Sequence, residues 1–509
     1  MSSSISNKHI SDTTTSHGSS NVSPMKTFLL RFSHFFSANT LSRALGFLTF
    51  PILTRVLSES EYGILGLVTV TMMFAVALAK AGLSDGITRF YSIYSKTSEQ
   101  LRIFSSTVII RGITLSLLIL FLYVMLFPKI YKYLGIDSKF LLCFMVMAAY
   151  LFIRPLNIIV YNILKVAGKT IFYNIVGLCG RVIETGLSLL LLIYIVHELY
   201  GFFIGVVIAE LLVAVALFYW FFSNFQVRYN EASYDLTKKL IKFGLPLLFY
   251  ELSFLLLSYV DRYMIIAYHG EAVLGIYSVG YNLAMYIAEM LNTALLYSVI
   301  PVYVGIYETQ GKDKTEEFLE RCMRYLLIAV IPICFGYFAI SKDLLVTFAS
   351  VKYVQAAAFS PIILVGSFLL LINNILNAGL YLNKNTMKML LIMLLSVLVN
   401  IIMNFILLPR YGVMGATIAT LASCLVATIL TAYFSYKYII VRIDLNTIGY
   451  YLIVSGIMYF IVLQIETTII WLNLIAKIIT GALIIMVCVL LKEKEMTAQI
   501  KEMYRSRRA

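Results

Sequence analysis

The sequence predicts an all-α integral membrane protein of about fourteen transmembrane helices, arranged as two six-helix lobes and an extra carboxy-terminal helix pair. Three observations carry that reading. Hydrophobic residues make up 61% of the 509 and charged residues only 13%, whereas a soluble globular chain carries roughly 25% charged residues. Water cannot solvate so apolar a surface, and lipid tails can. Apolar runs of about 20 residues, the length that crosses a bilayer as a helix, recur along the chain. Two glycine-containing strings also repeat across the halves. Tyr62-Gly63-Ile64-Leu65-Gly66 is matched by Leu274-Gly275-Ile276-Tyr277-Ser278, and Tyr200-Gly201-Phe202-Phe203-Ile204-Gly205 by Tyr411-Gly412-Val413-Met414-Gly415. Both intervals are roughly 211 residues, as a duplicated six-helix unit requires.

The elements follow in order. Residues 1–31 begin as a Ser/Thr/Asn-rich stretch without an apolar run and read as a disordered cytoplasmic tail, so the first span directs insertion. Spans near 32–55, 61–82, 107–127, 139–162, 171–196 and 201–222 form an amino-terminal lobe, 32–222. A cytoplasmic linker, 223–239, leads to spans near 240–262, 272–305, 323–347, 357–382, 386–408 and 412–436, the second lobe, 240–436. Spans near 446–465 and 468–491 form the extra pair, 446–491, and 492–509 is a basic cytoplasmic tail. The connections at 84–106, 223–239 and 308–324 are the longest, and none holds a soluble catalytic domain. The last mixes acids and bases at helical spacing and reads as a solvated amphipathic helix.

The formal charge of +14 points to no nucleic acid. With the amino terminus inside, Lys and Arg concentrate in the cytoplasmic segments, the bias that orients membrane helices in the cytoplasmic membrane with both termini inside. The six cysteines stand singly and the five histidines form no cluster at metal-ligand spacing. No cofactor or catalytic residue is predicted, and the chain does not read as an enzyme.

An ionisable group deep in a span costs several kcal/mol unless it is paired or faces water, so each marks a candidate site. From the ~1.5 Å rise per residue, Arg43 lies about 16 Å into the first span, Arg181 about 15 Å into the fifth, and Arg154 somewhat nearer the cytoplasmic side of the fourth. Three guanidinium groups at one depth suggest a hydrated cavity for an anion. Alternatives stand beside that reading. Glu184 follows Arg181 by one turn and can neutralise it, and Arg154 precedes Pro155, whose kink frees backbone carbonyls. Glu210 lies at similar depth in the first half. Glu184, Glu251 and Glu289, with Asp261 beside Arg262, are candidates for a coupling proton or sodium ion, or for structural hydrogen bonds. Tyr277, Tyr281 and Asn282 share one helical turn and offer hydroxyl and amide contacts to a sugar, or packing. Lys477 lies near mid-bilayer in the last span.

Several strings carry a family resemblance: Ser42-Arg43-Ala44-Leu45-Gly46-Phe47, Thr49-Phe50-Pro51-Ile52-Leu53-Thr54-Arg55, Glu61-Tyr62-Gly63, Tyr259-Val260-Asp261-Arg262-Tyr263 and Gly275-Ile276-Tyr277-Ser278. From about Phe32 to Leu491 the chain resembles the polysaccharide flippase branch of the multidrug/oligosaccharidyl-lipid/polysaccharide exporter superfamily. The resemblance implies a V-shaped pair of lobes that moves undecaprenyl-diphosphate-linked sugars to the outer leaflet by alternating access. It also implies that Arg43 lines the central cavity, because an arginine in the same string does so in related lipid II flippases. Those proteins continue to a second arginine where Thr49 stands here, which favours the O-antigen or exopolysaccharide branch over lipid II itself.

On this reading Arg43 holds the diphosphate, Arg154 and Arg181 assist, and Lys477 brings a further cation while the last helix pair forms a groove for the polyprenyl tail. The implied partners are the polyprenyl-diphosphate-linked oligosaccharide and membrane lipids, with a polysaccharide polymerase and a chain-length regulator beyond them. A multidrug or cation exporter is the main rival, weakened because the first span holds no acid. A membrane-embedded polymerase or ligase needs a large external loop that the sequence lacks.

Overall fold

A computed structural model describes residues 45–493, apart from the side chains of residues 294 and 296–298. The expected amino-terminal tail, Arg43 and residues 494–509 of the basic tail lie outside the described residues. Among those described, regular structure is helical throughout, with no strand. Ten helices are long and apolar enough to cross a membrane, or up to eleven if one bent pair is a single span.

In the first lobe a short apolar helix, α1 (Leu45–Val56), is followed by α2 (Glu59–Lys80), α3 (Leu83–Tyr94), α4 (Ser98–Tyr133), α5 (Leu141–Val166), α6 (Thr170–Leu190) and α7 (Leu199–Asn224). The second lobe comprises α8 (Tyr234–Gln310), α9 (Lys312–Leu344), α10 (Ser360–Leu376), α11 (Ala378–Leu382) and α12 (Thr386–Ser435). The pair α13 (Leu445–Leu463) and α14 (Ile470–Lys492) packs on α9.

Two helices exceed one bilayer crossing, α8 with 77 residues and α12 with 50. Each is broken by a glycine outside helical geometry, Gly270 (φ 80, ψ −175) in α8 and Gly412 (φ 56, ψ −141) in α12. Only a residue without Cβ enters that region freely, so these glycines turn each helix back as two legs. The breaks fall where the sequence analysis separates one predicted span from the next.

Two of the long connections are helical, the first in place of an expected loop and the second as expected. After α2 the chain turns at Ala81 and Gly82, both with positive φ, and α3 occupies much of 84–106 before Thr97 caps α4. α9 starts at Lys312, directly after Gly311, and continues into the membrane without a break. Its ion pairs of Glu317 with Lys314 and Arg321 fit the amphipathic reading. Glu316 and Glu320 depart from it by accepting the backbone N–H groups of Ile440 and Arg442, which anchors the approach to α13. The linker is likewise held down: Ser105 donates to Gln226 O, while Ser106 and Thr107 accept the N–H groups of Arg228 and Ser233.

The lobes meet along α2, which lies against both legs of α8. At the Gly270 end their backbones almost touch. A Cβ on Gly63 would come 2.2 Å from Glu271 O, and one on Gly275 1.9 Å from Glu59 O. Small residues permit such crossings in lipid, where packing rather than water exclusion holds helices together. Thr54 and Arg55 bond the carbonyls of Ala349 and Thr347, and Lys352 reaches Leu57 O. Midway, Thr71 and Tyr263 share a hydrogen bond of 2.8 Å. At the opposite end Lys80 pairs with Glu251 at 2.7 Å, and Gly82 lies backbone to backbone on Gly244.

Candidate functional site

Three helices of the first lobe turn polar faces toward one cavity of about 350 Å³. Arg154, Ile158, Tyr161 and Asn162 recur at i, i+4, i+7 and i+8, so α5 presents them on one face. α6 contributes Tyr173, Asn174, Gly177, Arg181 and Glu184, and α7 contributes Glu210. Close helix approach builds the back wall: a Cβ on Gly180 would meet Val213 at 2.6 Å, and one on Gly205 would meet Ser188 at 2.5 Å.

Charges in this wall are paired. Glu210, with only 7% of its side chain exposed, accepts from Arg154 Nη1 at 3.1 and 3.2 Å and from Asn157 Nδ2 at 2.7 Å. Asn157 also donates to Glu210 O, which locks α5 to α7. Arg181 Nη1 lies 2.6 Å from Glu184 Oε1. The guanidinium groups stay wetter, with 36% of the Arg154 side chain and 39% of Arg181 exposed. Arg181 also reaches the lobe boundary: a Cβ on Gly46 of α1 would sit 3.6 Å from its Nη2, and Tyr286 of α8 donates to Gly46 O at 3.2 Å.

The structure thus brings Arg154, Arg181, Glu184 and Glu210 together, while Arg43 lies outside the described residues. The expected anion trap needs a correction. Arg154 is satisfied by a carboxylate rather than by carbonyls freed at Pro155, and each of these two arginines is matched by an acid. Partners 56 residues apart, on different helices, meet only when α5 and α7 pack.

Lys477 does not join the cavity. It is 8% exposed, and its Nζ lies 2.8 Å from Asp343 Oδ2, which also accepts from Asn473. A lysine buried at a helix contact needs a countercharge there, so it fastens α14 to α9. The turn at Tyr277 is also turned inward. Tyr277 is fully buried and donates to Asp261, and Tyr281 packs its ring 4.8 Å from the Arg262 guanidinium. Asn282 donates to Tyr62 across the lobe boundary. Asn282 thus ties α8 to α2 and Tyr277 lies within the packing, while Tyr281 also borders a hollow of the second lobe.

Among the coupling candidates, Glu184 and Glu251 are in ion pairs. Glu289 borders a second-lobe hollow of about 90 Å³ with Asn292 and Asn374. Asp261 is different: its Oδ1 is buried with no hydrogen-bond partner among the described residues, and its Oδ2 faces Thr420 at 3.5 Å. Thr420 in turn accepts from Asn400, whose Oδ1 accepts from Asn404 at 3.0 Å, and Asn404 Oδ1 is a second buried oxygen without a partner. The sequence analysis passed over these residues, although two asparagines at i and i+4 in an apolar span are the signal that marks them.

Among curated proteins no sequence matches the chain. The fold does have close counterparts. The lipid II flippase MurJ in an inward closed conformation superposes with a TM-score of 0.75 at 16% identity, over 92% of this chain and all of that one. A multidrug resistance MATE family transporter of the MOP superfamily, inward-facing, gives 0.69 at 15%, over 78% and 94% of the two chains. A MOP superfamily transporter from Pyrococcus furiosus, described as having a binding pocket of reversed polarity, gives 0.57 at 15%, over 81% and 95%. At such identities the likeness is one of fold. The MatE family model matches residues 246–406, and the polysaccharide biosynthesis protein model matches residues 32–307, more than half of the chain. The chain is therefore a multi-pass, all-helical membrane protein that belongs to the polysaccharide biosynthesis protein family.

Proposed function

We propose that this protein is a flippase that carries polyprenyl-diphosphate-linked oligosaccharide repeat units across the cytoplasmic membrane for surface polysaccharide assembly. One observation carries the reading: a cavity walled by Arg154, Arg181, Glu184 and Glu210 lies inside an apolar lobe, and its Arg181 reaches α1 at the lobe boundary. A chain that moved only apolar cargo has no use for four ionisable groups around a hollow in a membrane lobe.

The cycle needs no covalent chemistry. Parting of α2 from the first leg of α8, at the Lys80 and Glu251 end, admits the headgroup from the cytoplasm while the polyprenyl chain stays in lipid. Arg43 takes the diphosphate, and the paired groups of the cavity take the remaining polar surface. Rocking of the lobes then opens the Gly63 and Gly275 crossing and releases the headgroup outside. Asp261 supplies the coupling step: its unpartnered Oδ1 and that of Asn404 suit a proton or a sodium ion, since a hard monovalent cation prefers oxygen ligands. Both termini stand in the cytoplasm, and a polymerase and chain-length regulator take the product.

The reading is tested in a flippase-deficient strain and in vesicles that contain a lipid-linked oligosaccharide. Wild type restores surface glycan and moves the lipid, and Arg43→Glu protein that reaches the membrane does neither; full complementation by that variant overturns the assignment. A cation exporter is the second reading, favoured by Glu184 and Glu210 in the cavity wall. Their arginine partners neutralise that attraction, and efflux of a cationic dye by wild type, without glycan rescue, decides for it.

A further inference from the structure

The wall between α5, α6 and α7 offers donors and acceptors side by side. Arg154 and Arg181 donate, and Glu184 accepts. Asn162 and Asn174 do both, and neither side chain hydrogen-bonds another described residue. Tyr161 and Tyr173 stand edge to face with ring centroids 5.3 Å apart. This chemistry discriminates between the two parts of a glycan-lipid headgroup. A phosphate only accepts, and it is held best by several donors with surplus positive charge. Here each guanidinium already holds a carboxylate, so an entering phosphate must displace one acid and then lie beside it. A sugar hydroxyl donates and accepts at once and complements the mixed wall without breaking either pair. The apolar face of a sugar ring also suits an aromatic edge.

Space exists for it. Gly177 lies in the wall, and a Cβ there would meet no atom within 4 Å. The volume of about 350 Å³ falls inside the roughly 300–1,000 Å³ of small-molecule sites. We infer that this cavity is the saccharide subsite of the headgroup, taking uncharged or N-acetylated sugar rings in preference to acidic ones, with Tyr161, Asn162 and Asn174 as contacts and Gly177 leaving room for the ring. The inference rests on the flippase reading and assigns the diphosphate elsewhere. The pairing sets the preference, because a uronate, like a phosphate, must displace an acid from its guanidinium and then lie beside it.

Gly177→Leu fills the space, and Gly186→Leu is its control. Both glycines lie in α6 with nothing near an added Cβ, but Gly186 is exposed and does not line the cavity. Either change replaces glycine with a stronger helix former, so folding is preserved, and thermal melting in detergent verifies it. Vesicles are loaded with undecaprenyl diphosphate bearing N-acetylglucosamine, bearing glucuronic acid, or bearing no sugar. Saturation-transfer NMR with free di-N-acetylchitobiose reads binding without transport. Gly177→Leu is expected to move the N-acetylglucosamine lipid roughly ten-fold more slowly, lose the free-disaccharide signal and leave the sugar-free carrier untouched. Gly186→Leu matches wild type throughout, and wild type favours the N-acetylglucosamine lipid over the glucuronic acid lipid.

The inference is overturned if Gly177→Leu keeps the wild-type rate, slows the sugar-free carrier as much, or if the acidic probe is handled as well as the neutral one. Disaccharide binding that depends on Gly177, in a protein that moves no lipid-linked glycan, keeps the subsite and sinks the flippase reading. Transport of lipid-linked glycan indifferent to Gly177 does the reverse.

Discussion

Glu210 joins two helices and lines the candidate cavity at once. It is nearly buried yet borders the cavity, and three donor contacts from Arg154 and Asn157 hold it. Removing an acid that satisfies buried donors costs more than the pair contributes, because the partners remain desolvated. Arg154 is over a third exposed, and water rescues part of that loss. Glu210→Ala should therefore lower stability by about 1–3 kcal/mol, read as a drop in melting temperature in detergent. Arg154→Met with Glu210→Leu should recover most of that stability without recovering transport. A double variant as unstable as Glu210→Ala contradicts the account. The depth of both residues was legible from residue counting, but their pairing was not, because it depends on which helix faces which.

Among the elements, the linker is tied down by contacts between segments far apart in the chain. A polar stretch between two lobes suggests a solvated tether, yet consecutive hydroxyls of α4 hold its backbone, and Arg102 pairs with Glu231. The hydrogen bond from Arg102 is the main cause that keeps the Glu231 carboxyl below its ordinary pKa. A carboxyl whose folded pKa is depressed stabilises the fold above its unfolded value, and that contribution fades as pH falls through the folded one. Protease cleavage within residues 225–233 should accordingly rise as pH drops below the ordinary carboxylate range. Arg102→Gln should raise cleavage at neutral pH and flatten the profile, and an unchanged profile in that variant refutes the link. Sequence showed a Ser-Ser-Thr run at 105–107 but not that the returning chain would lie beside it.

Across the whole molecule the two ends of the lobe boundary differ. At the Gly270 end, glycine crossings and hydrogen bonds to backbone carbonyls close it. At the other end Gly82 lies against Gly244, Phe90 of α3 packs on Phe243 of α8, and the Lys80 ion pair leaves its Glu251 side chain 41% exposed. An exposed pair contributes up to about 1 kcal/mol, so its loss shifts an open-to-closed ratio by roughly five-fold. Spin labels at exposed Lys96 and Lys384, one in each lobe, should show a longer-distance population in Glu251→Gln larger by about that factor. The charge-swapped pair Lys80→Glu with Glu251→Lys should restore the wild-type distribution. Identical distributions in all three proteins remove the ion pair from the gating role.

By itself the sequence determined the solvent of this protein, its helical class, and which charged residues its apolar stretches carry. Those follow from composition and from periodicities that every helix obeys locally. The break at Gly270 lies in a predicted gap, and that at Gly412 falls on the first residue of a predicted span. Only the tertiary structure decided which charges meet: Arg154 with Glu210, Lys477 with Asp343, Lys80 with Glu251, and Asp261 with the asparagines of α12. Each helix hides its own hydrogen bonds, so nothing in its local sequence says which neighbour it will face. Packing makes that choice, and with it the difference between a bare cationic trap and a wall in which acids balance the arginines.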